Sequence, residues 1–240
     1  MTSNPPMSKI SSDAPTAPDG VAGSRVDRVQ AAIRERILAG VYPPGSRLIL
    51  SRLAAEHGVS FIPIREALQR LEAERLVKTE QNRGARVAEI SIADMRDIYE
   101  TRVVLEQHAV QLAIPKLTDE HLQVAAAALD RMEERFAADR QAEAYRAHQA
   151  FHFALYEPAG SSWTMHVIRQ LWAAAERYVR LAAGVRPAPD LFVAEHRRIF
   201  DAVMGAEVEE AVESLIANLR TTEKLLAENY ESVPHRVDGD

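Results

Sequence analysis

The sequence predicts a mainly α fold in two parts, an N-terminal winged helix-turn-helix over residues 25–90 and a C-terminal antiparallel bundle of six helices over residues 91–231. Three observations predict it. Two amphipathic stretches flank a three-residue turn that contains glycine, Gly58-Val59-Ser60. A hairpin pattern follows around Gly84. Beyond residue 90 the apolar positions recur at helical spacing, and no strand-like alternation appears.

Residues 1–24 (MTSNPPMSKISSDAPTAPDGVAGS) hold almost no large apolar side chains, so they cannot offset the entropy of ordering and are expected to form a flexible tail. Val29, Ile33, Ile37 and Leu38 then give a helix over 25–39, stopped by Gly40 and Pro43-Pro44-Gly45. A short helix over 50–57 carries Leu53 and Ala54. The next apolar run passes through Ile64, Leu68, Leu71 and Leu76, with Ser60 as its N-cap and Pro63 in its first turn, where a missing N–H costs little. Val77-Lys78-Thr79 and Ala85-Arg86-Val87 read as the two strands of a wing. Ser91 caps a long helix to about Ile114, ended by Pro115, and helices follow at about 118–138, 141–157, 162–183, 189–204 and 207–230. Residues 232–240 are expected to form a second flexible tail.

Composition removes several functional classes. The 240 residues include no cysteine, which excludes disulfides, thiolate metal sites and a cysteine nucleophile. No apolar run reaches the roughly 18 residues of a membrane span, and no apolar signal-peptide core is present, so a cytoplasmic protein without membrane contact is expected. The formal net charge of −6 is unevenly spread. Residues 25–89 carry 12 Lys and Arg against 8 Asp and Glu, whereas residues 91–240 carry 16 against 25. Only the first block is suited to meet a polyanion.

The run RERILAGVYPPGSRL…LAAEHGVSFIPIREALQRLEAERLV…NRGARV resembles the winged-helix domain of the GntR family of bacterial transcription regulators. The resemblance implies that the helix from Phe61 enters the major groove of an operator. Arg65 matches the family's recognition-helix arginine, whose guanidinium can donate bidentately to guanine O6 and N7. Arg52 and Ser60 would meet phosphates, and the wing residues Arg83, Gly84 and Arg86 would approach the backbone or minor groove. The chain departs from the family just after the turn, where Phe61 and Ile62 stand in place of the usual arginine. They offer apolar contact to thymine methyl groups instead.

The run VAEISIADMRDIYETRVVLEQHAVQLA and the helices after it resemble the FCD effector domain of the FadR subfamily, most nearly its VanR-type members. That resemblance implies a homodimer that places two recognition helices on an inverted repeat, a small carboxylate effector, and a divalent metal. Zinc is the expected metal, with nickel or manganese as alternatives. His148, His152, His196 and Asn218 fall at the ligand positions, His148 where the family keeps an aspartate and Asn218 where it keeps a last histidine. His148 and His152 are spaced i, i+4 and so share one helix face. Arg102 is expected to take an effector carboxylate, or else to pair with Glu106 one turn on. Tyr99, Phe151, Tyr156, Arg169 and Trp172 are possible pocket walls. His57, His108, His121, His166 and His235 match no ligand position.

Two other readings stay open. A metal-free sensor would bind its effector directly through Arg102 and the histidines. A metal-dependent hydrolase or lyase is disfavoured, because Gln149, Ala150 and Phe151 between the paired histidines leave no carboxylate where a zinc-protease motif keeps its base. No enzymatic activity is expected.

Overall fold

The computed structural model describes residues 24–80, 84–181 and 189–232. Arg83, His235 and most of the two expected tails lie outside the described residues. Ser24, placed in the first tail by its composition, is in fact the N-cap of helix α1 (Arg25–Leu38). Its hydroxyl accepts from the Asp27 amide at 3.2 Å while the Asp27 carboxylate takes the Ser24 amide at 2.8 Å. This reciprocal capping box satisfies two otherwise orphaned amides.

After α1 come strand β1 (Arg47–Leu48), α2 (Leu50–His57), α3 (Phe61–Ala73), β2 (Val77–Glu80) and β3 (Gly84–Val87). The sheet order is β1-β3-β2, antiparallel throughout, with Lys78 and Arg47 each opposite Arg86. Strand β1 is an addition to the expected hairpin. Helix α3 is shorter than its apolar pattern suggests, because Arg75 turns left-handed at φ 57° and releases Leu76 into the core beneath the wing. Val29, Ile33, Leu48, Leu53, Ile64, Leu71, Leu76 and Val87 form a hydrophobic core belonging to this block alone.

The bundle comprises α4 (Ile92–Ala113), α5 (Asp119–Ala137), α6 (Gln141–Tyr156), α7 (Ser162–Leu181), α8 (Pro189–Met204) and α9 (Val208–Ser232). Ser91 caps α4 through the Asp94 amide. His121, which matches no ligand position, closes a capping box with Thr118 at the start of α5, its Nδ1 accepting the Thr118 amide at 3.2 Å. α4 packs against α6, α7 and α9, while α5 lies along α6 and α8. The second core, including Met95, Tyr99, Leu129, Met132, Phe151, Leu155 and Ile168, fills the space between them.

Helix α7 also braces the winged block. Glu176 accepts from Arg34 at 2.6 Å and Arg180 reaches Glu35 at 2.7 Å. Deeper in, the buried Arg177 donates to the Arg75 carbonyl at 3.1 Å and pairs with Asp94 of α4. Tyr178 donates to the same Asp94 at 2.6 Å.

Candidate functional site

The N-terminus of α3 presents an open face. Ser60 holds the N-cap position with extended backbone, but its hydroxyl makes no capping bond. Phe61 and Ile62 are 51% and 68% exposed, an unusual exposure for two large apolar side chains in succession. Arg65 one turn on is exposed, and no carboxylate among the described residues engages it. Arg52 lies on α2 with its side chain 75% exposed, held at 3.0 Å by Glu56, which also takes Arg36 and Tyr42. Arg86 donates to the Gly45 carbonyl at 2.7 Å and so ties β3 to the turn before β1. Gly84 stands at φ 92°, and a Cβ there would lie 2.6 Å from the Leu48 carbonyl oxygen. Only glycine lets the wing close on β1 at this point.

A second constellation lies inside the bundle. His148 and His152 on α6 face His196 on α8, and one ring nitrogen from each falls within 4.8 Å of the others. His152 and His196 are buried, and their Nε2 atoms are 3.1 Å apart. Nδ1 of His196 lies 2.7 Å from the Phe192 carbonyl. A carbonyl only accepts, so Nδ1 carries the proton and Nε2 is left bare. Burial pushes the His196 imidazole down to about 4. Burial, then the charges of the neighbouring histidines and Arg102, holds His148 and His152 well below the ordinary histidine range. All three rings are therefore neutral near pH 7, the form that ligates metal.

This donor set fits a divalent ion. Two imidazole nitrogens about 2.0–2.1 Å from a tetrahedral zinc sit about 3.3 Å from each other, close to the spacing of the His152 and His196 Nε2 atoms. Asn218 is buried on α9 and gives its amide N–H to Glu195 at 3.0 Å, which leaves only Oδ1 able to act as a ligand.

Beside the histidines lies a buried carboxylate. Glu106 is fully enclosed; Oε1 accepts from Arg102 Nε at 2.7 Å and from Trp172 Nε1 at 3.0 Å, and Oε2 accepts from the Tyr156 hydroxyl at 2.6 Å. Tyr156 in turn lies 2.9 Å from His152 Nδ1. The Arg102 guanidinium lies over the rings of Tyr99 and Trp172, at 4.9 and 4.3 Å from their centroids. Burial opposes its charge, but Glu106 outweighs that and the guanidinium stays protonated. The expected alternative for Arg102, a pair with Glu106, is thus present. Its guanidinium is also near enough to the histidines to depress their basicity.

Arg169 is a correction. The sequence reading placed it on the pocket wall; instead it is exposed, paired with Glu157 and laid over Phe153. Phe153 in turn packs on Trp172, so Arg169 stands one layer outside Trp172. The other expected wall residues, Tyr99, Phe151, Tyr156 and Trp172, are buried. The sequence reading missed Glu106 as the hub that joins Arg102, Trp172 and Tyr156; the only signal was its i, i+4 spacing from Arg102.

Comparison with known proteins matches residues 25–87 to the bacterial regulatory proteins of the gntR family and residues 97–221 to the FCD domain. The HTH-type transcriptional regulator BphR of Paraburkholderia xenovorans is 30% identical over 223 residues, covering 89% of this chain and 90% of its own. The HTH-type transcriptional repressor GlaR of Escherichia coli is 33% identical over 61% of this chain and 68% of its own. Among solved structures, a transcriptional regulator of Rhodococcus sp. RHA1 superposes with a TM-score of 0.70 at 29% identity, over 88% of this chain and 99% of that one. Escherichia coli McbR shares the fold at a TM-score of 0.74 and 22% identity, over 87% of this chain and all of that one. The matched families consist of regulators, not enzymes.

Proposed function

The chain belongs to the GntR family of bacterial transcriptional regulators and carries an FCD effector domain, and from that premise we propose that it binds an inverted-repeat operator as a homodimer and changes its DNA affinity when a small organic acid binds in the bundle. Residues 25–90 would form the DNA-binding unit and residues 91–231 the effector-binding and dimerising unit. Arg65 reads a base, Phe61 and Ile62 supply apolar contact in the groove, and Arg52, Ser60, Gly84 and Arg86 meet the backbone. Arg83 is assigned to the same group on its sequence position.

His148, His152 and His196 hold a divalent cation, zinc by preference, with Asn218 as a weak fourth ligand. The observation that carries this is the convergence of three neutral imidazoles on one point inside the bundle. A bound ion supplies a Lewis-acidic centre for a carboxylate. Arg102 supplies the complementary positive charge, with Tyr99 and Trp172 holding its guanidinium plane in place. Because α7 carries both Trp172 and the Arg177 contact to the winged block, a ligand that shifts Trp172 also acts on the seat of α3. Coupling of this kind requires different ligand affinities in the DNA-competent and incompetent states.

The test is elemental analysis of the untagged protein purified without chelator, followed by operator titration with and without candidate carboxylates. Near one zinc, nickel or manganese per chain, and an operator affinity that moves with a carboxylate, is the expected result. Absence of metal even after reconstitution, with a carboxylate response retained, would transfer the effector role to Arg102 and the histidines alone.

A further inference from the structure

We propose that Glu106 and Tyr156 are positioning residues that fix the His152 ring with Nδ1 protonated and Nε2 bare. The protons available along one buried chain of side chains decide the ring's state. Glu106, Tyr156, His152 and His196 make three successive contacts, at 2.6, 2.9 and 3.1 Å. Each contact needs one proton between its two atoms. His196 has already given its only N–H to the Phe192 carbonyl, so the chain holds two protons, one on Tyr156 and one on His152.

One of the three contacts must therefore go without. A buried carboxylate facing a bare hydroxyl oxygen at 2.6 Å would be the most costly choice. Arg102 and Trp172, both donating to Oε1, hold Glu106 as an acceptor, so the Tyr156 proton is drawn to Oε2. Tyr156 can then only accept from His152, and its oxygen, polarised by the carboxylate to which it donates and lying 2.9 Å from Nδ1 against the 3.1 Å between the two Nε2 atoms, draws the His152 proton to Nδ1. The contact left empty is the one between the two Nε2 atoms. Two lone pairs face each other there at 3.1 Å, an arrangement that a cation between them relieves. The relay thus prepares the histidine pair for a metal before any metal arrives, in the way that partners of ligating histidines set tautomer and basicity.

The ring assignment stands on the chain's own hydrogen bonds; its consequence for affinity rests on the metal reading above. The experiment uses the full-length protein after chelation, with long-range proton–nitrogen NMR of the histidine rings. Wild type should show His152 protonated at Nδ1. In Tyr156→Phe the Glu106 demand no longer reaches His152, whose ring is then free to donate Nε2–H to His196, so the tautomer should invert. Zinc affinity measured by calorimetry should fall about 10- to 100-fold with it. Glu106→Gln is the second variant: its amide can donate to Tyr156, which turns the hydroxyl proton toward His152 and should invert the ring as well.

A wild-type His152 protonated at Nε2, or a folded Tyr156→Phe protein that keeps both the wild-type tautomer and the wild-type zinc affinity, would overturn the relay. A wild type that takes up no zinc overturns the metal reading instead, while the NMR result still decides the relay.

Discussion

The Arg177 guanidinium on α7 donates to the backbone carbonyl of Arg75, two residues beyond the end of α3, at 3.1 Å. Arg75 holds a left-handed conformation at φ 57°, uncommon for a residue with a side chain. The same guanidinium pairs with Asp94, so one side chain joins the exit of α3, the first bundle helix and α7. This side chain ties the two blocks together at this point.

Replacing Arg177 by Met keeps the stem but takes this donor from the Arg75 carbonyl and leaves Asp94 with Tyr178 and the more distant Arg75 guanidinium. Removing one member of a buried ion pair costs about 3–5 kcal/mol, and the partial exposure of Asp94 reduces this to about 1–3 kcal/mol. Urea unfolding should register the loss. Hydrogen exchange should accelerate at Arg75–Val77 and not in the core of α5 or α6. Uniform acceleration across the chain would show that the contact is not a local seat.

At the DNA face, Arg65→Ala removes an exposed arginine with no carboxylate partner among the described residues, so stability should be unchanged. Specific operator affinity should fall by about 1–3 kcal/mol per half-site, with nonspecific binding nearly intact. Arg52→Ala is the contrast. Its pair with Glu56 is exposed and contributes little to the fold, and its loss should weaken binding to operator and random DNA alike. Fluorescence anisotropy on the two duplexes separates these outcomes, and equal losses for both variants would sink the assignment of Arg65.

The contrast between the two blocks also explains what the sequence makes legible. The bundle helices are readable because apolar residues recur over 16 to 25 positions, long enough for helical periodicity to stand out. β1 is only two residues long and has no period to detect. Paired His148 and His152 follow from i, i+4 spacing, whereas His196 joins them across 44 residues of chain and was reachable only through the family resemblance. The role of Glu106 is invisible for the same reason, its partners Tyr156 and Trp172 lying 50 and 66 residues away. Arg169 was misplaced because spacing alone cannot distinguish the face that carries Trp172 from the neighbouring face turned to solvent.

The wing offers a purely steric prediction. Gly84→Ala places a Cβ against the Leu48 carbonyl oxygen and demands a positive φ from alanine. The strain should cost about 1–3 kcal/mol, and β3 should separate from β1. Operator binding should weaken through loss of the wing's backbone contacts, while metal content and the helical circular dichroism signal stay as in wild type. Wild-type stability and operator affinity in this variant would mean that the β1 edge can move away from the wing without penalty.

Inside the bundle, His152→Ala removes the ring that touches both Tyr156 and His196. The remaining His148 and His196 give two imidazole ligands, one fewer than the three protein ligands of an open zinc site. Metal content should drop from about one per chain to a small fraction after dialysis against a weak chelator. The cavity left is partly polar, so the loss of packing should cost no more than about 2–4 kcal/mol, and the far-ultraviolet spectrum should stay helical. If the purified wild type carries metal and both His152→Ala and His196→Ala retain it with undiminished affinity, the ion is bound elsewhere. Retention by only one of the two variants would place the ion on His148 and whichever ring proves necessary.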